Sequence, residues 1–230
     1  GNESQKERYL EPILSAEEIW CQGFSEPESG SDLASLKTRA VKADGGWRIT
    51  GQKVWTTYAH EAKWCMLLAR TDQDAPKHQG ITYFLLDMDQ AEVEVRPLRQ
   101  ITGEAEFNEI FLEEAFVPEE NIVGEVGAGW SVAITTLMFE RAGLGALAVV
   151  GLGRAYEELL KLIAERDVGS DPSVRERMAK LKIGLEAMRL GAMRTLTATM
   201  KTGIPGPEAS LGKWEWAVLN QEMTDLATEI

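Results

Sequence analysis

The sequence predicts two regions of different texture, an antiparallel β-sandwich or barrel followed by long helices. Residues 18 to 117 carry short runs rich in Val, Ile, Tyr, Phe, Trp and Thr, divided by turn residues. From Gly127 onward, apolar residues instead recur every three or four positions. Between two such stretches, KTGIPGP at 201 to 207 places two prolines and two glycines that no helix continues through.

Taken in order, Ile19-Trp20-Cys21 reads as a strand leading into FSEPESGSD, residues 24 to 32. Leu36 to Ala43 and Trp47 to Thr50 flank Asp44-Gly45-Gly46, a hairpin signal. Strands follow at Gln52 to Thr57, Trp64 to Thr71, Gly80 to Met88, Val93 to Ile101 and Phe107 to Phe116, with a polar loop from Asp72 to Gly80. In the helical region Trp130, Ile134, Leu137, Leu144 and Ala148 share helical spacing. Asp171-Pro172 marks a second helix start, since proline suits the first turn. Met178, Leu181, Leu185 and Met188 form that helix's apolar stripe, and a third helix runs from about Glu208 to the end. The chain begins and ends within sequence of helical character, with no cap visible at either end, so a piece of a larger fold is expected.

A length of 230 residues accommodates one large domain or two modest ones. Hydrophobic residues make 44% and charged residues 27% of the chain, which fits a globular protein. The net charge of -13 repels a phosphate backbone and argues against a nucleic-acid binder. Two cysteines, Cys21 and Cys65, imply no disulfide framework, and with only His60 and His78 beside them no metal site is expected. This cysteine usage suits a cytoplasmic setting, and the polar opening GNESQKERYL is not a signal peptide. From Gly129 to Gly153 the only charges are Glu140 and Arg141. Each would cost roughly 2.5–3.5 kcal/mol at a bilayer centre, so a buried helix is expected and not a membrane span.

Three stretches and one single residue bear on chemistry. Gly151-Leu-Gly153 lacks the third glycine of a dinucleotide loop, Tyr156 standing in its place, and no strand precedes it, so helix packing explains it better. The loop after Phe24 offers Ser25, Ser29 and Ser31 hydroxyls and the conformational freedom of Gly30. It is either a hydrophilic turn or a concave seat for a carbonyl or phosphate oxygen. Trp55 is either core or a cover for a flat aromatic cofactor, with the Thr57 hydroxyl two residues on along the same strand face. Glu140 lies in an otherwise apolar helical stretch. A carboxylate in low dielectric has a raised pKa suited to a general base, while a buried ion pair or an exposed helix face are the alternatives.

WCQGFSEPESGSDLASLKT, followed by WRITGQKVWTTYAHEAKWCMLLART and later by RPLRQITGEAEFNEIFLEEAFVPEENIVGEVGAGW, closely resembles the acyl-CoA dehydrogenase family. The [ST]EPxxGSD loop followed about twenty residues later by GQKxW is highly specific, and the resemblance covers essentially the whole chain. ERDVG, VRERMAKL and PGPEASLGKW are similar to the bacterial branch. The resemblance implies a multidomain α and β fold, an antiparallel β-barrel or sandwich middle domain followed by an up-down α-helical bundle. Residues 1–10 would be a remnant of the family's N-terminal helical domain, 11–126 the middle β domain, and 127–230 an incomplete C-terminal bundle.

The same resemblance implies function: an FAD-dependent enzyme that desaturates an acyl-CoA thioester and passes electrons to an electron-transfer flavoprotein. Gln22, Phe24 and Ser25 would line the flavin ring, and Trp55 and Thr57 would lie beside the isoalloxazine. Gly30 and Ser31 would sit near the flavin pyrophosphate, with Ser31 also toward the CoA. LMFERAG matches the base placement of isovaleryl-CoA and long-chain acyl-CoA dehydrogenases, which makes Glu140 the candidate base and Arg141 a substrate-ordering partner. Arg166 would reach the FAD of a neighbouring subunit, although ERDVGSD lacks the family's phenylalanine there. Ser25 replaces the commoner Thr, and Glu28 replaces a small residue. Family members are homodimers, homotetramers or heterotetramers, which leaves a non-catalytic structural subunit and an acyl-CoA oxidase as alternatives. No nucleic acid or membrane partner is expected.

Overall fold

A computed structural model describes residues 1–230, with the side chains of 142–146 excepted; the expectation for Leu144 therefore lies outside the described residues. The chain divides into two compact units, residues 1–134 and residues 135–230.

The first unit opens with helix α1, Glu3–Leu14. Its start is capped after all. The Asn2 side chain accepts from the Gln5 N–H at 2.8 Å, and the Gln5 side chain accepts from the Asn2 N–H at 3.1 Å. Short-range reading missed this box because Asn2 and Gln5 look like any polar opening. Gln5 also ties α1 to the sheet side of the unit, its amide donating to the Glu120 and Ile122 carbonyls at 2.8 Å each.

Eight strands follow: β1 Trp20–Gly23, β2 Arg39–Ala43, β3 Gly46–Thr57, β4 Trp64–Arg70, β5 Ile81–Asp87, β6 Val93–Leu98, β7 Phe107–Pro118 and β8 Ile122–Val123. The sheet order is β6-β7-β3-β2-β4-β5-β8, with β1 pairing β4 off this path. Most pairings are antiparallel as expected, but β1 lies parallel to β4, as does β2 at a single residue pair. The β2–β3 hairpin turns at Asp44-Gly45, and Gly45 takes φ 71°, which only a residue without Cβ adopts cheaply. The two strands expected on either side of Gly51 are one continuous β3, its pairing with β7 interrupted by irregularities at Ile49/Gly51 and at Lys53/Thr56. Pro97 is tolerated because β6 is an edge strand. Ile49, Cys65, Leu67, Phe84, Leu86, Ile110 and Leu112 fill the core of this unit.

The helices are α2 Gly129–Glu165, α3 Pro172–Thr202 and α4 Ala209–Glu229. Asp171 caps α3 and Pro172 occupies its first turn, as the sequence predicts. Gly203 ends it at φ 75°. Leu152, Tyr156, Leu159 and Ile163 from α2 pack with Met178, Leu181, Leu185 and Met188 from α3 and Leu219, Met223 and Leu226 from α4 in one apolar cluster. Gly151 and Gly153 lie inside α2, but a Cβ at either would meet nothing within 4 Å, so the helix packing expected to explain them is not found among the described residues. Among the described residues no helix is long and apolar enough to cross a membrane.

Candidate active site

The stretch 22–25 and the stretch 54–58 are far apart in sequence and meet in the first unit. β1 ends at Gly23, and the backbone beyond it leans on β3, where the Val54 N–H donates to the Ser25 carbonyl at 2.9 Å. Gly23 lets β1 lie close on β4, because a Cβ there would lie 2.7 Å from the Cys65 sulfur and 3.0 Å from Leu67. Between the two stretches opens a cavity of about 280 Å³, lined by Trp20, Gln22, Phe24, Ser25, Trp55 and Thr57, together with Cys21, Val54, Tyr58 and Met66. This is near the lower end of the ~300–1,000 Å³ typical of small-molecule sites.

Trp55 is the residue most shaped by this site. It occupies the irregularity between Lys53 and Thr56, with φ 61°, and Tyr58 follows at φ 54°. A bulky residue held in left-handed backbone costs about 1–3 kcal/mol and persists only when its surroundings enforce it. The indole is 62% exposed, so core packing is not what it gains. Its ring stands edge-on to Phe107, centroids 6.2 Å apart, which supports it from one side. Thr57 is exposed as well and joins it in lining the cavity, as its strand position suggested.

The lining is mixed in a way that suits a flat aromatic ligand with polar edges. Trp55, Tyr58, Trp20 and Phe24 supply ring surface, Ser25 and Thr57 hydroxyls, and Gln22 an amide. The indole N–H of Trp20 is buried with no protein acceptor among the described residues. Cys21 and Cys65 face each other in register across β1 and β4, and both thiols are free and buried. Contact with Cys65 and then burial push the Cys21 thiol far above its usual range, so it is a poor nucleophile.

Below the cavity wall lies a feature that sequence reading missed. Lys53 is fully buried, 0% exposed, and its ammonium donates to Glu26 Oε1 at 2.8 Å and to the Phe24 carbonyl at 3.1 Å. The Glu26 carboxylate also accepts from the backbone N–H groups of Lys37, at 2.6 Å, and Thr38, at 2.9 Å. Burial alone would raise the Glu26 carboxyl, but the Lys53 charge and these hydrogen bonds outweigh it and hold the group below its ordinary range. Burial pulls the Lys53 ammonium down, with Glu26 opposing. The loop read as either a turn or an oxygen seat is thus anchored from within. Ser29 is buried, its backbone paired to Glu26 in both directions at 3.0 Å.

The structure brings together five of the residues the sequence singled out: Gln22, Phe24, Ser25, Trp55 and Thr57. Gly30 and Ser31 are exposed at the turn beyond and do not line this cavity. A Cβ at Gly30 would meet nothing within 4 Å, so the turn faces open space there. Glu28 is exposed and pairs with Lys37.

Glu140, Arg141 and Arg166 belong to the helical unit. The low-dielectric surroundings suggested for Glu140 are not found among the described residues, since Glu140 and Arg141 are both exposed on α2. Apolar neighbours in sequence do not enclose a helical residue, and here several of them, Phe139 at 52% among them, are exposed as well. Arg141 does line a cavity of its own unit with Gly191, Arg194, Thr195, Glu208 and Glu215. Arg166 is exposed at the end of α2, its guanidinium 3.4 Å from the Ile230 carbonyl.

Comparison with known proteins matches residues 21–115 to the acyl-CoA dehydrogenase middle domain and residues 127–230 to the acyl-CoA dehydrogenase C-terminal domain. The acyl-CoA dehydrogenase FadE34 of Mycobacterium tuberculosis is 45% identical over 230 residues, covering 100% of this chain and 32% of its own length. The acyl-CoA dehydrogenase IpdE1 of Mycolicibacterium smegmatis is 40% identical over 241 residues, covering 100% of this chain and 60% of its own. A solved structure described as Tcur3481-Tcur3483 steroid ACAD superposes with a TM-score of 0.90 at 32% identity, covering 100% of this chain and 59% of that one. The chain thus spans between about a third and three fifths of the proteins it matches.

Proposed function

The chain belongs to the acyl-CoA dehydrogenase family, and from that premise we propose that it carries the flavin site of an FAD-dependent enzyme desaturating an acyl-CoA thioester at its α and β carbons. One observation carries the reading: the two family motifs converge on a single cavity lined by Gln22, Phe24, Ser25, Trp55 and Thr57. FAD, when bound, takes up the hydride lost from the β carbon. The chain's own residues bind and orient. Trp55 presents ring surface, Thr57 and Ser25 offer hydroxyls to polar edges, and Tyr58 and Phe24 keep water from the cavity wall. Glu140 removes the α proton, and Arg141 beside it orders the substrate. Gly30 and Ser31 receive the phosphate-bearing end of a ligand at the open turn, and Arg166 reaches cofactor bound by a neighbouring subunit.

The proposed electron acceptor is an electron-transfer flavoprotein, with oxygen the alternative if the protein is an oxidase. The setting is cytoplasmic and the assembly a homodimer, homotetramer or heterotetramer. The three-part division at residues 10 and 126 belongs to the same proposal.

A second reading, a structural subunit of a heteromeric dehydrogenase, is favoured by two facts. Glu140 is exposed, and one of the matched structures carries a paired designation. An anaerobic flavin titration decides between them. The chain is loaded with FAD and mixed with CoA thioesters, straight-chain and steroid-bearing, while the flavin absorbance is followed. Bleaching in the parent and none in Glu140→Gln is expected. Flavin binding without bleaching in either would point to a supporting subunit or to an inactive core of a longer protein, and would overturn the assignment of Glu140. Peroxide formed on admitting air, without an added acceptor, would mark an oxidase.

A further inference from the structure

The buried pair Lys53–Glu26 is more elaborate than stability requires. The charge–charge contact by itself adds little to stability, because two desolvated charges scarcely repay their transfer from water. What the ion pair adds is direction. Lys53 directly precedes Val54 and Trp55 on β3, and its ammonium grips the Phe24 carbonyl at 3.1 Å on the opposite cavity wall. Glu26, gripped at 2.8 Å, is in turn fixed by the backbone of Lys37 and Thr38, ahead of β2. Three segments of backbone therefore meet at one charge pair, and two of them carry cavity-lining residues.

We propose that Lys53 and Glu26 are positioning residues: they lock the 24–26 stretch to β3 and so keep Trp55 in its left-handed conformation at the mouth of the cavity. The link runs through covalent neighbours and the Val54-to-Ser25 backbone bond, so loss of the pair lets both walls shift together. Neither side chain lines the cavity, so the pair acts on a ligand only through the residues it holds. This rests on the reading of the cavity as a flavin site, but the state of Trp55 can be followed without flavin.

The test uses the full chain with its tryptophan indoles labelled with nitrogen-15, the Trp55 signal being assigned by its loss in Trp55→Phe. Lys53→Met combined with Glu26→Leu replaces the charges with an apolar pair of similar size. The melting temperature is expected to fall, because the Lys37 and Thr38 N–H groups lose their acceptor and the Phe24 carbonyl its donor. In the flavin-free chain the Trp55 signal moves or broadens, and the FAD dissociation constant rises by about ten- to a hundred-fold, the usual cost of small misplacement. An unmoved Trp55 signal with parental FAD affinity overturns the proposal. If the parent itself binds no FAD, the flavin reading fails, and the Trp55 signal alone decides the positioning claim. If the apolar pair does not fold, Glu26→Asp takes its place, keeping the charge but shortening the reach. A shifted Trp55 signal at unchanged melting temperature supports the claim, and an unshifted one overturns it.

Discussion

The β unit and the helical unit present their candidate site residues in opposite ways. In the β unit, Trp55 departs from ordinary backbone geometry and five predicted residues close around a cavity. In the helical unit, Glu140 sits on a regular helix and is exposed, with no comparable enclosure among the described residues. The first site is made by strands of one sheet and is built into the fold. The second offers a reactive group on a regular scaffold. Strain alone does not mark a site, since Ala16, Glu114 and Asp167 also take positive φ, but strain in an exposed tryptophan that lines a cavity sets Trp55 apart. A site of the second kind leaves no mark on its own backbone, so only chemistry can test it.

The sharpest way to break this contrast is to ask whether Glu140 does anything at all. As the general base, its replacement by Gln should slow flavin bleaching by acyl-CoA about 10²–10⁴-fold in stopped-flow measurements, leaving FAD affinity unchanged. A rate within about threefold of the parent, too small a loss for a proton-transfer group, would place the base elsewhere. The core of the helical unit offers a stability effect with no chemical one. Leu181 is 3% exposed in the cluster shared by α2, α3 and α4. Leu181→Ala should cost about 2–5 kcal/mol, read as lost hydrogen-exchange protection confined to the helices. Equal loss in the β strands would show that the two units unfold as one.

Trp55 sharpens the comparison from the other side. Glycine takes φ 61° freely, so Trp55→Gly removes strain of about 1–3 kcal/mol while adding unfolded-state entropy worth about 0.5–1 kcal/mol. The relieved strain outweighs the added entropy and the indole buries little, so the flavin-free chain should gain about 1 kcal/mol in chemical denaturation. Flavin affinity should fall about ten- to a hundred-fold, the scale of one lost aromatic stack. A variant that loses stability would mean that Trp55 serves packing and not ligand.

What could be read in the sequence follows from range. The hairpin at Asp44-Gly45, the start of α3 at Asp171-Pro172 and the break after Thr202 are local signals, and each stands where expected. The cavity residues were legible because two compact motifs contain them. The parallel β1–β4 pairing was not, since it joins residues more than forty positions apart, although the repeated Trp-Cys dipeptide is a signal: Trp20 pairs with Trp64 and Cys21 with Cys65. Lys53 and Glu26 were hidden for a related reason. Each stands in a polar-looking stretch, and only the folded sheet reveals that both are buried. Glu140 misled in the other direction, because apolar sequence neighbours do not enclose a residue on a helix.

The smallest expected effect tests how far local signals alone sustain the helical unit. Asp171 accepts hydrogen bonds from the Ser173 N–H at 2.7 Å and the Val174 N–H at 3.4 Å, satisfying two donors that α3 leaves free. Pro172 at the first turn has no N–H to satisfy, so the cap serves the two that follow it. Asp171→Ala should therefore cost about 1–2 kcal/mol, and Asp171→Asn less, because the amide oxygen can accept the same bonds. The asparagine variant separates capping from charge: its carbonyl keeps the hydrogen bonds and loses only the attraction of a carboxylate for the helix N-terminus, worth about 0.3–1 kcal/mol. Denaturant unfolding of both variants, with FAD affinity measured alongside, should show the alanine loss in stability and parental affinity in each. Should the alanine variant bind flavin less well, the cap and the cavity would be coupled, and the two units could no longer be treated as energetically separate.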